Sequence, residues 1–154
     1  MKQLVISKIK EGTVIDHINA GKAPLVLKIL GISENSRENV SMAMNVSSRK
    51  MGKKDIVKVE GKFISEEELN KIALISPNAT INLIKDYEIK KKFKVRPPEF
   101  VEGILVCPNR MCISNDKREP ITSKFYIKVD EKGEVVAKCY YCGRKIKDLA
   151  RDIK

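Results

Sequence analysis

The chain has 154 residues, 42% of them hydrophobic but only 5% aromatic and none tryptophan, so aliphatic side chains must fill whatever core it builds. Its formal net charge is +11, unevenly spread: residues 1–98 hold 19 Lys+Arg against 11 Asp+Glu (+8), and residues 99–154 hold 12 against 9 (+3). No apolar run approaches the roughly 20 residues of a membrane span, and no apolar leader precedes a cleavage site, so a cytoplasmic protein without a membrane partner is expected. The charge suits an anionic partner or a well-solvated surface.

In chain order, Leu4 to Lys10 alternates as a strand, and Gly12 to Ile18 follows as a turn and a second extended piece. Lys22 to Leu30 reads as a short buried helix, with Pro24 in its first turn and Gly31 as its stop. Asn39 to Val46 alternates again, Ser47 to Lys54 reads as a polar loop, and Asp55 to Glu60 as a strand. Ser65-Glu66-Glu67-Glu68 is a capping box that opens a helix carrying Leu69, Ile72, Ala73 and Ile75. Thr80 to Ile84 and Tyr87 to Phe93 complete the series as strands. The order strand, helix, strand, strand, helix, strand, plus one more strand, predicts an α+β fold: a ferredoxin-like sandwich with an antiparallel sheet. Arg96-Pro97-Pro98-Glu99 is a stiff connector, so the predicted domains are 1–98 and 99–154, the second a small all-β unit.

All four cysteines fall in that second unit, as Cys107-x4-Cys112 and, after a gap of 26 residues, Cys139-x2-Cys142. Zinc takes four thiolates in a tetrahedron, and two ligand pairs on tight turns supply that geometry. Ser123 to Val129 and Glu134 to Lys138 read as a hairpin between the pairs, turned at Asp130 to Gly133. About 55 residues with few large apolar groups need such a staple. With no histidine in the region, a closed structural site is expected rather than a catalytic one; two disulfides or free thiols are the alternative.

An enzyme finds little support. His17 is the single histidine, and on a regular strand it and Asp16 would face opposite sides. Gly52-Lys53-Lys54 lacks the upstream glycine and the following Ser/Thr of a phosphate-binding loop. Lys58 alternates away from Val57 and Val59, and Lys90 and Lys92 share a strand face, where ammonium groups can hold a triphosphate. A nucleic-acid-binding zinc ribbon is the alternative function, but no aromatic-basic stripe is evident along the sequence and nucleic acid is not an expected partner.

Four separated segments carry a resemblance: Gly12 to Ile18, Met51 to Asp55, Ser76 to Asn82, and Val106-Cys107-Pro108-Asn109 with Cys112-Ile113. Together they resemble the regulatory chain of aspartate carbamoyltransferase. The resemblance implies a non-catalytic subunit of pyrimidine biosynthesis. Its N-terminal domain binds the effectors CTP, UTP or ATP, and its zinc domain docks onto the catalytic chains. It implies regulatory dimers bridging catalytic trimers, six catalytic plus six regulatory chains, with one zinc per regulatory chain. Carried over by motif, Asp16 holds the ribose hydroxyls, Lys92 the phosphates, and Lys58 the ribose–phosphate region, with His17 bordering the phosphates. Ile9, Tyr87 and Ile89 border the base, and Asn82 lines the same pocket. Lys8 is a departure that alters base preference, and the run Lys90-Lys91-Lys92 leaves the phosphate lysine in register to within one residue.

Overall fold

A computed structural model describes residues 9–154. Most of the strand expected over Leu4 to Lys10, and Lys8 with it, lies outside the described residues. The described part of that segment is not strand; the first strand, β1, is Glu11–Asn19, the piece expected to begin as a turn. It is followed by α1 (Ala23–Ile29), β2 (Val40–Ser48), β3 (Gly52–Glu60), α2 (Glu66–Ile75), β4 (Thr80–Lys85) and β5 (Glu88–Lys94). Among the described residues these strands form one sheet in the order β2-β3-β1-β4-β5, antiparallel throughout. The first four strands have the predicted split β-α-β topology, and β5 extends it as a hairpin.

Both helices cover one face of this sheet. Ile15, Ile18, Val57, Val59 and Ile81 from the strands meet Ala23, Val26 and Leu30 around α1, and Ile72, Ala73 and Ile75 of α2. α2 starts as the sequence indicates, with reciprocal bonds between Ser65 and Glu68. α1 differs, because Lys22 at its cap makes no side-chain capping bond. The fully buried Asp55 of β3 does the work instead, its Oδ2 accepting the N–H groups of Gly21 and Ala23 at 2.9 Å each.

The predicted polar loop Ser47 to Lys54 is mostly strand. Ser48 pairs with Gly52, and only Arg49, Lys50 and Met51 turn the hairpin. The ribbon carries no apolar alternation there because none of the residues from Ser47 to Lys54 is buried, so neither face has a core to fill. Gly12 is required by a close approach. Its φ is 141°, and a Cβ there would collide with the carbonyl of Val59 on the neighbouring strand.

The second sheet follows Arg96-Pro97-Pro98: β6 (Phe100–Glu102), β7 (Lys124–Val129), β8 (Val135–Cys139) and β9 (Lys145–Ile146), in that order and antiparallel. Its buried face holds Phe125, Ile127, Val135, Ala137 and Ile146 against Leu105, Cys107, Cys112 and Cys139. The two sheets do not sit apart. Leu74 of α2 is buried in the second core, while Ala150 and Ile153 from the C-terminal segment pack against the first. No helix among the described residues is long and apolar enough to cross a membrane.

Candidate functional site

Two sites emerge. The first is the cysteine cluster. The sulfurs of Cys107, Cys112, Cys139 and Cys142 all lie within 4.8 Å of one another, with Cys107–Cys142 at 3.6 Å and Cys112–Cys139 at 3.7 Å. A disulfide would need about 2.05 Å, so the thiols are free. A tetrahedron with metal–sulfur bonds of about 2.3 Å has edges of about 3.8 Å, so the four residues fit a metal ion of zinc's size. The turns are braced locally. Asn115 Nδ2 donates to the carbonyls of Cys107 and Asn109, both at 2.8 Å, and the Gly143 N–H to Cys139 O at 2.9 Å, with Gly143 at φ 76°. Sequence reasoning missed Asn115; an amide three residues beyond the second ligand was its only signal.

Burial pushes the thiols of Cys107 and Cys139 up from their ordinary value. Burial also opposes ionisation of Cys142, but the Arg144 N–H, the Asn109 side chain and its neighbouring thiols outweigh it and bring Cys142 down to about 7. A cation bound by the four sulfurs would displace the protons that burial holds on Cys107 and Cys139.

The second site lies on the sheet face opposite the helices. In register across four strands stand Lys58 of β3, Val14 of β1, Asn82 of β4 and Lys92 of β5. Three of the predicted binding residues thus form one transverse row. Lys58 and Asn82 are buried, Lys92 is exposed, and Asn82 Nδ2 reaches the Val14 carbonyl at 3.3 Å. A bulge in β5 fixes the lysine register. Leu83 pairs with Lys91 and Ile84 with Ile89, so Lys90 is the extra residue, ion-paired to Glu88 at 3.1 Å, and Lys92 is the lysine opposite Asn82.

Asp16 stands one same-face step along β1 from Val14, opposite Thr80. A β1 bulge falls between Ile15 and Ile18, with His17 at φ 57°. The expectation that Asp16 and His17 face opposite sides therefore fails. The His17 N–H donates to Asp16 Oδ1, and the ring Nδ1 lies 3.1 Å from Thr80 Oγ1, the residue opposite Asp16. Burial lowers the His17 pKa; Asp16 pulls it back up, while Lys54, Lys50 and Lys92 lower it further. Lys54 joins the group through an ion pair with Asp16 at 2.9 Å. The sequence pattern, which places Lys54 at the end of a polar loop, does not single it out. Ile9 is buried, and Tyr87 and Ile89 are exposed, Tyr87 in the β4–β5 turn at φ 66° with its N–H bonded to the Lys10 carbonyl at 3.0 Å.

Comparison with known proteins is consistent along the whole chain. Residues 4–96 match the family model of the aspartate carbamoyltransferase regulatory chain, allosteric domain, and residues 99–150 that of its metal binding domain. A regulatory chain of aspartate carbamoyltransferase from Archaeoglobus fulgidus is 73% identical over 149 residues, covering 97% of each chain. Those from Pyrococcus horikoshii (54% identical, 96% of this chain and 95% of the relative) and Staphylothermus marinus (51%, 94% and 87%) are similar over nearly the same span.

Proposed function

The chain belongs to the family of aspartate carbamoyltransferase regulatory chains, which are non-catalytic, and from that premise we propose that it binds nucleotide effectors on its first sheet and passes their effect to catalytic chains through its metal domain. The observation that carries the effector reading is the row Lys58–Val14–Asn82–Lys92 beside Asp16, His17 and Lys54. Lysines there neutralise a triphosphate. Asp16 accepts from ribose hydroxyls, and His17, kept neutral, adds a donor or acceptor beside the phosphates. Ile9, Tyr87 and Ile89 form the base-bordering edge, with their backbone groups reading it. CTP, UTP and ATP are the candidate effectors.

The metal is zinc, one ion per chain, held by Cys107, Cys112, Cys139 and Cys142. The ion would act as a cross-link, keeping residues 99–154 in the shape that docks on catalytic chains, while residues 1–98 form the effector domain. The outer edge of β2 offers a pairing edge for a second regulatory chain: among the described residues it ends its sheet, with Met42 and Met44 exposed along it. Such dimers bridging two catalytic trimers give six chains of each kind. An effector bound far from the catalytic chains changes activity only by favouring one quaternary state over another.

Calorimetry of the purified chain with CTP, UTP and ATP tests this reading. Binding at micromolar to millimolar concentration that drops at least tenfold in Lys92→Ala supports it. No heat with any of the three overturns the effector role, and failure of the zinc-loaded chain to co-elute with catalytic trimers overturns the assembly role.

A further inference from the structure

The two units of the chain meet in two places that differ in kind. On one side apolar side chains interlock: Leu74 of α2 enters the second core, and Ala150 and Ile153 pack against the first. On the other side lies a cleft of about 280 Å³. Asn19, Lys22 and Pro77 line it from the first unit, and Glu134, Lys147 and Asp148 from the second. Across it, Lys22 Nζ reaches Asp148 Oδ1 at 3.7 Å.

Both ends of this ion pair are held from behind. Asp148 stands at φ 53°, a left-handed conformation that aspartate tolerates, directly ahead of the buried Leu149. Lys22 lies between Gly21 and Ala23, whose N–H groups donate to Asp55 Oδ2 at 2.9 Å each. Asp55 follows Lys54 on β3, and alternation sends the two side chains to opposite faces of the sheet, Asp55 toward α1 and Lys54 toward Asp16. Lys54 in turn pairs with Asn19 of β1. The Asn19 N–H donates to Ser76 Oγ at 3.2 Å, and its Nδ2 to the Ile75 carbonyl at 3.4 Å, at the end of α2. The first unit's wall of the cleft is therefore anchored at both ends on Lys54 and Asp55.

Those two residues sit where the sheet is irregular. Both neighbours of β3 bulge at this level, β1 between Ile15 and Ile18 and β2 between Ala43 and Val46. The left-handed residues there are His17 at φ 57° and Asn45 at φ 58°, and their N–H groups donate to Asp16 Oδ1 and Asp55 Oδ1. A bulge interrupts the ladder and is where a strand bends. A change of charge beside Lys54 thus acts where β1 and β2 yield, and its effect crosses the sheet between two consecutive residues.

Resting on the effector reading above, we propose that the Lys54–Asp55 step couples the effector face to the cleft, and that the Lys22–Asp148 pair is the contact through which the second unit senses it. A triphosphate competes with Asp16 for the Lys54 ammonium, Asp55 carries the displacement of β3 to the segment from Gly21 to Ala23, and Lys22 moves against Asp148. The packed side at Leu74 is the fulcrum about which the cleft opens or closes. An exposed ion pair biases an equilibrium by up to about fivefold, enough to modulate a response and too little to hold the units together.

The first measurement needs no nucleotide. In amide spectra of the full-length, zinc-loaded chain, Lys54→Met is expected to shift the signals of Gly21 and Ala23 and, across the cleft, those of Asp148 and Leu149. In a Lys22→Met background the first shift should persist and the second disappear. Signals at Asp148 that stay fixed in Lys54→Met overturn the proposal. So do signals that move equally without Lys22, since the Leu74 contact then carries the coupling. The second measurement uses the chain assembled with catalytic trimers. Lys22→Met and Asp148→Asn are each expected to bind CTP, UTP or ATP as wild type does, and to shrink the fold-change that the nucleotide makes in half-saturation by aspartate at least about twofold. The exchange Lys22→Asp/Asp148→Lys should restore it. A full response in both single variants overturns the proposal. Absence of nucleotide binding by wild type overturns the effector reading instead, and the spectra still decide the link between Lys54 and Asp148.

Discussion

The Lys54 ammonium lies 2.9 Å from Asp16 Oδ1, linking β3 to β1 at the place where β1 bulges. Both side chains are partly shielded, so the pair orients the carboxylate as well as neutralising it. One consequence concerns effector binding. On the proposed effector role, Lys54→Met should weaken binding of a nucleoside triphosphate about tenfold, and Asp16→Asn should do the same by removing the negative charge proposed to accept from the ribose hydroxyls. Stability should move less than about 1 kcal/mol in either, because a partly exposed ion pair contributes little net free energy. Calorimetry beside urea unfolding separates the effects; a large stability loss with unchanged affinity would make the pair merely structural.

Asp55 has a different role. Its carboxylate is fully buried and accepts the N–H groups of Gly21, Ala23 and Asn45, each at 2.9 Å. It thereby caps α1 from another strand and holds Asn45 at φ 58° beside the bulge in β2. Asp55→Ala orphans three donors, of which the Ala23 N–H is buried, and should cost about 1–3 kcal/mol, measured by chemical denaturation. Asp55→Asn keeps one acceptor oxygen and should cost less.

The single histidine makes pH dependence readable at one residue. The pKa of His17 is lowered in the folded chain, chiefly by burial, so the native state favours the neutral ring. Its contribution to stability is fully present above the ordinary value of about 6.5 and is lost as pH falls through the depressed folded value. Wild type should therefore lose stability relative to His17→Gln as pH falls below about 6.5. An NMR titration of the ring checks the direction directly. A bound triphosphate should raise the His17 pKa again, because the phosphate charge favours the imidazolium.

Metal removal should act on the second sheet first. Its buried face is completed by Cys107, Cys112 and Cys139, and the raised thiols of Cys107 and Cys139 give up their protons only to a cation. Cys112→Ser, or chelation, should release the metal and lose the β6–β9 signals in an amide spectrum. Affinity for the metal should fall as pH drops, since protons compete for the same sulfurs. Retention of those signals after complete metal loss would refute the staple.

Leu74 tests whether the two cores melt together. It projects from α2 into the second core, while Ala150 and Ile153 return the contact, and Lys71 Nζ reaches the Lys154 carbonyl at 3.2 Å. Leu74→Ala should cost about 2–4 kcal/mol and split a single calorimetric transition into two. An unsplit transition would show that the remaining contacts couple the sheets unaided.

Much of this molecule is written in short stretches of sequence. The paired cysteines with their tight turns, the capping box at Ser65 and the helical stop at Gly31 all depend on neighbours within a few residues, and each stands where the sequence places it. The order of strands and helices is likewise local, because hydrophobic period is a property of short windows. What sequence could not display is which residues meet across strands. Register between strands is decided by long-range pairing and by single-residue bulges at His17, Asn45 and Lys90, and one extra residue changes which side chains share a face. So the alignment of Lys58, Asn82 and Lys92 and the arrival of Lys54 at Asp16 belong to the tertiary structure alone, while the four-cysteine centre was already determined by its ligands and their spacing.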